Sequence, residues 1–264
     1  MSKAVKLALI TPTVYLDKFA SQGDIHLILS HLIGENTYTE YYRKQKKLKI
    51  MDNGLFENHV AEPTTVLLKK AEIVGADVIV APDVLYDCDA TLAELDKFQE
   101  AMAKSKKKYK VFGVPQGKNL DDYLRCHRGM YLRGVDFIGL SILAVPKAFK
   151  EITGTDDISL NRMVCMNYLE DQRMVFDGIK YHCLGLGSFA GEIAVMAQHK
   201  WVYSNDSCSF FQTANVRQLP YFGGYVVGGK PEAKLEFNMM LMDSGKEAVA
   251  QKNIETLKRY AQRA

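Results

Sequence analysis

Three aspartates stand where apolar runs end: Asp52 in KIMDNGLFE, Asp83 in DVIVAPDVL and Asp206 in WVYSNDSCSFF. A carboxylate that closes an apolar strand is poorly solvated on one side and can point into a shared mouth at the edge of a sheet. Carboxylates so placed can act as nucleophiles or as general acids and bases. Gln116 in VFGVPQG closes another such run, and the four together read as a catalytic site assembled from several strand ends. Asp77 and Asp136 begin apolar runs instead, which predicts caps or surface groups on the opposite face.

Positioning these groups requires a framework, and the chain supplies one in short apolar runs alternating with amphipathic stretches. Strands are expected at 5–10, 25–29, 48–52, 77–82, 109–114, 135–140, 180–185 and 200–204. Helices are expected at 63–74 (opened by Pro63), 90–103 (capped by Asp89) and 120–132 (after Asn119). Further helices are expected at 160–174 after Ser159, 189–198 after Ser188, and 244–261. Repeated strand–helix units imply parallel strands with helical crossovers. At 264 residues they fit an α/β chain forming a single (β/α)8, TIM-barrel-like domain over 1–264, a fold of roughly 250 residues. A doubly wound open sheet is the competing architecture. The barrel is preferred because it gathers all strand ends at one mouth, whereas an open sheet gathers only those near its switch point. The aromatic and glycine-rich stretch 207–235 lacks periodicity and is expected to be a loop or insertion beside that mouth.

Bulk properties narrow the field without deciding it. A hydrophobic fraction of 47% supplies an ordinary core, and a formal net charge of +3 demands no polyanionic partner. Two cationic runs stand out, RKQKKLK (43–49) and KSKKKYK (104–110). A role in following phosphates needs them to flank the aspartate mouth; otherwise they are solvated helix ends. There is no apolar run of about 18 residues, so no membrane span is expected, and the start of the chain reads as a first strand rather than a leader. Five scattered cysteines without a CxxC or CxC pair favour reduced thiols in a cytoplasm over a zinc cage, so neither metal nor cofactor is expected.

Taken in order, MDNGLFE, APDVL, GVPQG, FIGLSI, HCLGLGS and YSNDSCSFF resemble the motif series of the tRNA-guanine transglycosylase superfamily, over about residues 48–212. The resemblance implies Asp52 as general acid/base and Phe56 as the aromatic residue stacking on the bound base. It implies Asp83 as reader of the Watson–Crick edge of guanine or a 7-deazaguanine, Gln116 as a contact to the base carbonyl, and Asp206 as nucleophile. Leu140, Ser141, Leu184 and Gly185 would lie along the base pocket. The family's zinc-binding cysteine–histidine element is absent, since no cysteine follows Cys208. A compact zinc-free chain is most similar to the phage branch, the DNA 7-deazaguanine transglycosylases, which exchange guanine in DNA for a free base such as preQ0. The implied partners are therefore DNA (tRNA being the less favoured polymer) and a free 7-deazaguanine base, in the host cytoplasm if phage-encoded. The oligomeric state is not indicated.

The chemistry suits these residue types on its own terms. Breaking an N-glycosidic bond builds positive charge on the sugar, which a carboxylate below the anomeric carbon stabilises and traps as an ester. A second, protonated carboxyl supplies a proton to the leaving purine and later recovers it. Arg125, Arg128, Arg133, Arg217 and Lys230 are candidate phosphate contacts. Plainer roles exist for each acid: Asp52 as a turn former before Asn53-Gly54, Asp83 as a cap, Asp206 as a loop hydrogen-bonder. His182 and His199 are expected to be packed or surface groups rather than metal ligands, and Cys208 a small buried residue. Three other functions compete: a tRNA-directed transglycosylase, a barrel enzyme for a phosphorylated metabolite with GLGS (185–188) cradling phosphate, and a non-catalytic nucleic-acid-binding barrel serving as a subunit of another transglycosylase.

Overall fold

The apolar runs form eight parallel strands: β1 (Lys6–Leu9), β2 (His26–Ile28), β3 (Lys49–Met51), β4 (Val78–Val80), β5 (Lys110–Gly113), β6 (Phe137–Ser141), β7 (Lys180–Leu184) and β8 (Val202–Ser207). They come from a computed structural model that describes residues 4–187, 190–217, 240 and 242–262, without the side chains of 216 and 217. The strand order is β1-β8-β7-β6-β5-β4-β3-β2, and a bridge between Ala8 and Ile25 joins the two ends into a (β/α)8 barrel. Both faces of such strands are covered, which is why they read as apolar throughout rather than alternating.

The helices among the described residues are α1 (Asn36–Lys44), α2 (Leu55–Asn58), α3 (Thr64–Val74), α4 (Cys88–Lys104), α5 (Leu120–Leu132), α6 (Ala144–Thr153), α7 (Ile158–Asp171), α8 (Glu192–Gln198), α9 (Ser209–Arg217) and α10 (Ser244–Tyr260). Asn119 caps α5 as expected, whereas Asp87 and Asp157, not Asp89 and Ser159, accept the capping N–H groups of α4 and α7. Ser188 lies outside the described residues. The expected loop at 207–235 is corrected in its first part, because Ser207 ends β8 and Ser209–Arg217 is helical. Phe210 and Phe211 drive this, being fully buried against Phe19 and Tyr15. Residues 218–235 lie outside the description.

Side chains separate into two layers. Ala8, Ile25, Leu27, Ile50, Val78, Val80, Phe112, Val114 and Phe137 fill the barrel. The alternate residues, such as Leu7, Met51, Ile79, Ile138 and Cys183, pack outward against the helices. One irregularity breaks this alternation. Tyr181 pairs with Val202 but His182 pairs with Ser204, so Tyr203 is an extra residue, a bulge in β8. Tyr203 packs on the inner cluster, and beyond it Ser204 and Asp206 also face inward, Asp206 opposite Ala8. Bulges commonly re-aim side chains beside active sites.

The rim at the strand starts is built for stability. Asp24, Asp77 and Asp136 each take a backbone N–H of the neighbouring strand, from Leu7 (3.0 Å), Lys49 (2.9 Å) and Val111 (2.9 Å). Both cationic runs lie at this rim, which corrects their candidacy as phosphate contacts flanking the aspartates. Lys49 bonds the carbonyl of Val74 at 2.7 Å, Lys107 that of Ala76 at 3.0 Å and Lys108 that of Ala103 at 2.6 Å. These lysines satisfy carbonyls at and just beyond helix C-termini. No helix among the described residues is long and apolar enough to cross a membrane.

Candidate active site

At the opposite rim, the strand ends bring Asp52, Asp83, Gln116 and Asp206 into one acidic mouth. Asp83 is buried and clamped by two side-chain amides. Asn53 Nδ2 donates to Oδ1 at 2.7 Å and Gln116 Nε2 to Oδ2 at 2.5 Å. The amides are themselves oriented: Asn53 Oδ1 accepts from Leu55 N, and Gln116 Oε1 from Tyr86 N. Burial pushes the Asp83 carboxyl up to about 7, and the charge of Asp52 adds to this against the two amide donors.

Asp52 follows β3, and one of its oxygens accepts the N–H of Gly54 at 3.0 Å. Gly54 has φ +77°, a conformation that glycine adopts freely, and it opens the single turn of α2. Burial raises Asp52 to about 6, helped by the negative charges of Asp206 and Glu62 and opposed by the N–H groups of Gly54 and Asn53. The field of Asp52 with Asp206 and with Asp83 couples three of the strand ends electrostatically, and Gln116 joins the fourth by its hydrogen bond to Asp83.

Asp206 is 5% exposed and held on one side only. Oδ1 lies 2.9 Å from Nε2 of the fully buried His182 and accepts the Gly185 N–H at 2.9 Å. Among the described residues none donates to Oδ2. Gly185 has φ +71°, and a Cβ there would meet Ile142 at 2.9 Å. Its carbonyl is gripped by Arg162 and Asn205 at 2.9 and 2.7 Å. Arg162 is fully buried, ion-paired with Glu192, and also bonds the carbonyls of Leu140 (3.2 Å) and Leu184 (2.9 Å). Removing either partner of such a buried pair costs about 3–5 kcal/mol. The N–H of Gly187 faces Glu192 Oε2 at 3.5 Å, so in the turn that the competing phosphate reading would use, this group is already turned to a carboxylate of the protein itself.

The remaining candidates divide. Leu184 packs on the inner cluster below the mouth, and Ser141 continues the inward row of β6. Leu140 is corrected: its side chain packs in the outer layer, and only its carbonyl faces the Arg162 guanidinium. Phe56 is 43% exposed on α2, an aromatic ring left outside the core at this rim. Arg125 is paired with Asp89 and Asp122, and Arg133 with Asp96, so neither is a free phosphate ligand; Arg128 is exposed. The Arg217 side chain and Lys230 lie outside the description. His199 bonds Glu170 at 2.6 Å, away from this mouth, and Cys208 is partly buried against Gln212. No group of three or more metal-ligating side chains occurs among the described residues.

Sequence reasoning missed Asn53, His182, Ser204 and Glu57. Glu57 lies on α2, its Oε2 buried without a hydrogen bond and 3.8 Å from His31 Nδ1, too far to be one. Burial, then the charges of Asp52 and Asp206, raise this carboxyl to about 8. The folded protein therefore keeps a proton there that the unfolded chain releases near pH 4.5. Its contribution to stability is fully present below that pH and is lost as pH rises through about 8. Every tenfold difference in proton affinity between the folded and unfolded chain is worth about 1.4 kcal/mol. Glu57→Gln is therefore expected to match wild type near pH 4.5 and to exceed it at pH 8 by a few kcal/mol. Denaturant midpoints across pH 4.5–9 measure this; an offset that does not change with pH would contradict it.

No protein-family model matches the chain, and no curated protein is recognisably similar to it in sequence.

Proposed function

We propose that the protein exchanges guanine in nucleic acid, in DNA rather than tRNA, for a free 7-deazaguanine base by double displacement at the sugar carbon. What supports the reading is the division of labour at one barrel mouth: a clamped acceptor (Asp83), an acid with a raised pKa (Asp52), and a carboxylate with one oxygen unengaged among the described residues (Asp206). Asp206 Oδ2 attacks the anomeric carbon from below, and the glycosidic electron pair leaves with the purine nitrogen, which takes the proton of Asp52. The incoming base returns a proton to Asp52 as its own nitrogen attacks the ester, so configuration is retained.

Each Asp83 oxygen accepts one amide donor and keeps a further lone pair. A guanine-type edge, with its ring N–H and exocyclic amine, supplies two donors for those positions. Edge contacts of this kind discriminate by about 1–3 kcal/mol. Stacking on Phe56 adds about 1–3 kcal/mol with little base preference. A guanine in duplex DNA has to leave the stack first, at a few kcal/mol. The preference for DNA rests on the resemblance to the phage branch, not on the lysine runs.

Base binding should also move a proton. Asp83 holds one up to about pH 7 in the free protein, and two N–H donors favour its ionised form. Binding of preQ0 at pH 6–7 is therefore expected to release a proton. Calorimetry in buffers of different ionisation enthalpy detects it, and a buffer-independent heat would contradict the role given to Asp83. The reading as a whole is tested by incubating the protein with labelled preQ0 and either DNA or tRNA, then analysing the nucleosides by mass spectrometry. Label in deoxynucleosides supports it, label only in tRNA moves the substrate to tRNA, and label in neither rejects it.

A further inference from the structure

Beneath Asp206 the barrel holds a short buried relay that the exchange reaction does not by itself require. His182 has no exposed surface and packs edge-on against Phe112, with ring centroids 5.6 Å apart. Its Nε2 lies 2.9 Å from Asp206 Oδ1, and its Nδ1 lies 2.7 Å from the hydroxyl of Ser204, also fully buried. A carboxylate oxygen only accepts, so the proton on this side belongs on Nε2. In the neutral ring Nδ1 is then an acceptor, and the Ser204 hydroxyl is the donor that satisfies it. The hydrogen bond made by one ring nitrogen thus selects the tautomer that the other presents.

We infer that His182, locked as its Nε2–H tautomer by Ser204, is a positioning residue that presents Asp206 as a nucleophile through a single oxygen. The inference rests on the transglycosylase reading for its chemistry, but its geometry stands apart from it. Two donors, His182 Nε2–H and Gly185 N–H, converge on Oδ1 and fix the plane of the carboxylate. Oδ2 is left for carbon. The bulge at Tyr203 keeps the arrangement in register, since if Tyr203 were paired with His182 in regular alternation Ser204 and Asp206 would face outward. A carboxylate free to rotate would spend its time in orientations that miss the anomeric carbon, and a displacement near 1 Å costs about 100-fold in rate.

Three variants of the full chain test this. His182→Gln keeps an N–H donor near the Nε2 position, His182→Leu keeps none, and Ser204→Ala removes only the lock. His182→Leu is expected to lower kcat for preQ0 incorporation by about 100-fold with KM for the base nearly unchanged. His182→Gln is expected to restore the rate to within about tenfold of wild type, as for other donors that orient a reactive group. Nitrogen NMR of histidine-labelled protein is expected to show the Nε2–H tautomer in wild type and a mixture in Ser204→Ala. Wild-type rates in His182→Leu, or an Nδ1–H tautomer in wild type, would overturn the inference. Equal losses in the Leu and Gln variants, tracking lowered melting temperatures, would reduce His182 to a packing role and overturn it too. If the wild-type protein exchanges no base on either polymer, the functional reading fails, while the NMR result still decides whether His182 donates to Asp206.

Discussion

Asp206→Ala is expected to abolish base exchange, with a loss of about 10⁴-fold or more, because it removes the proposed ester-forming oxygen. Alanine leaves the His182 ring and the Gly185 N–H without their acceptor, each worth about 1–3 kcal/mol if water does not replace it. Asp206→Asn separates chemistry from folding more cleanly. Its amide oxygen can still accept both donors, while the –NH2 group takes the place of the attacking oxygen. Both variants should bind preQ0 and nucleic acid yet yield no covalent adduct by intact mass, whereas wild type accumulates one when free base is withheld. Exchange retained in either variant removes the nucleophile assignment.

Asp52→Asn is expected to lower turnover by about 10²–10⁴-fold, the usual share of a positioned acid–base group. The fold should tolerate it, since an asparagine oxygen still accepts the Gly54 N–H and a charge facing Asp206 disappears. The wild-type acid is raised to about 6, so departure of the purine needs the form present below that pH, and the rate-limiting protonation weakens above it. A nucleic acid carrying a base with a more acidic glycosidic nitrogen needs less help in leaving. Such a substrate should recover much of the lost rate in Asp52→Asn but none in the Asp206 variants. Equal behaviour of the two sets would rule out separate acid and nucleophile.

Most of the framework was legible because a parallel barrel writes its strands as unbroken apolar runs, and all eight were placed from sequence. The two rims were legible as well: Asp77 and Asp136 open strands and clasp their neighbours, whereas Asp52, Asp83 and Asp206 close the mouth. Facing within a strand was harder. All five residues of β6 are buried, so nothing in FIGLS distinguishes the inward Ser141 from the outward Leu140. The lysine runs left a phosphate-following role open, but the topology puts them at the opposite rim, where Lys49, Lys107 and Lys108 bond carbonyls at and just beyond helix C-termini. Glu57 carries no periodic signal, and a short turn after Gly54 alone puts it beside Asp52. His182 could have been suspected from its place two residues before the inward Leu184, but its pairing with Asp206 depends on the irregular register of β8.

That extra tyrosine in the last strand makes the chemistry sensitive to parity. Adding one residue between Ser204 and Asn205, or letting Tyr203 take the place of Ser204 opposite His182, would leave every reactive group in the chain and its apolar composition almost untouched. Yet it would turn the Asp206 carboxylate toward the helices and Asn205 toward the lumen. For this barrel, a change of count would dismantle the proposed site as surely as a change of kind.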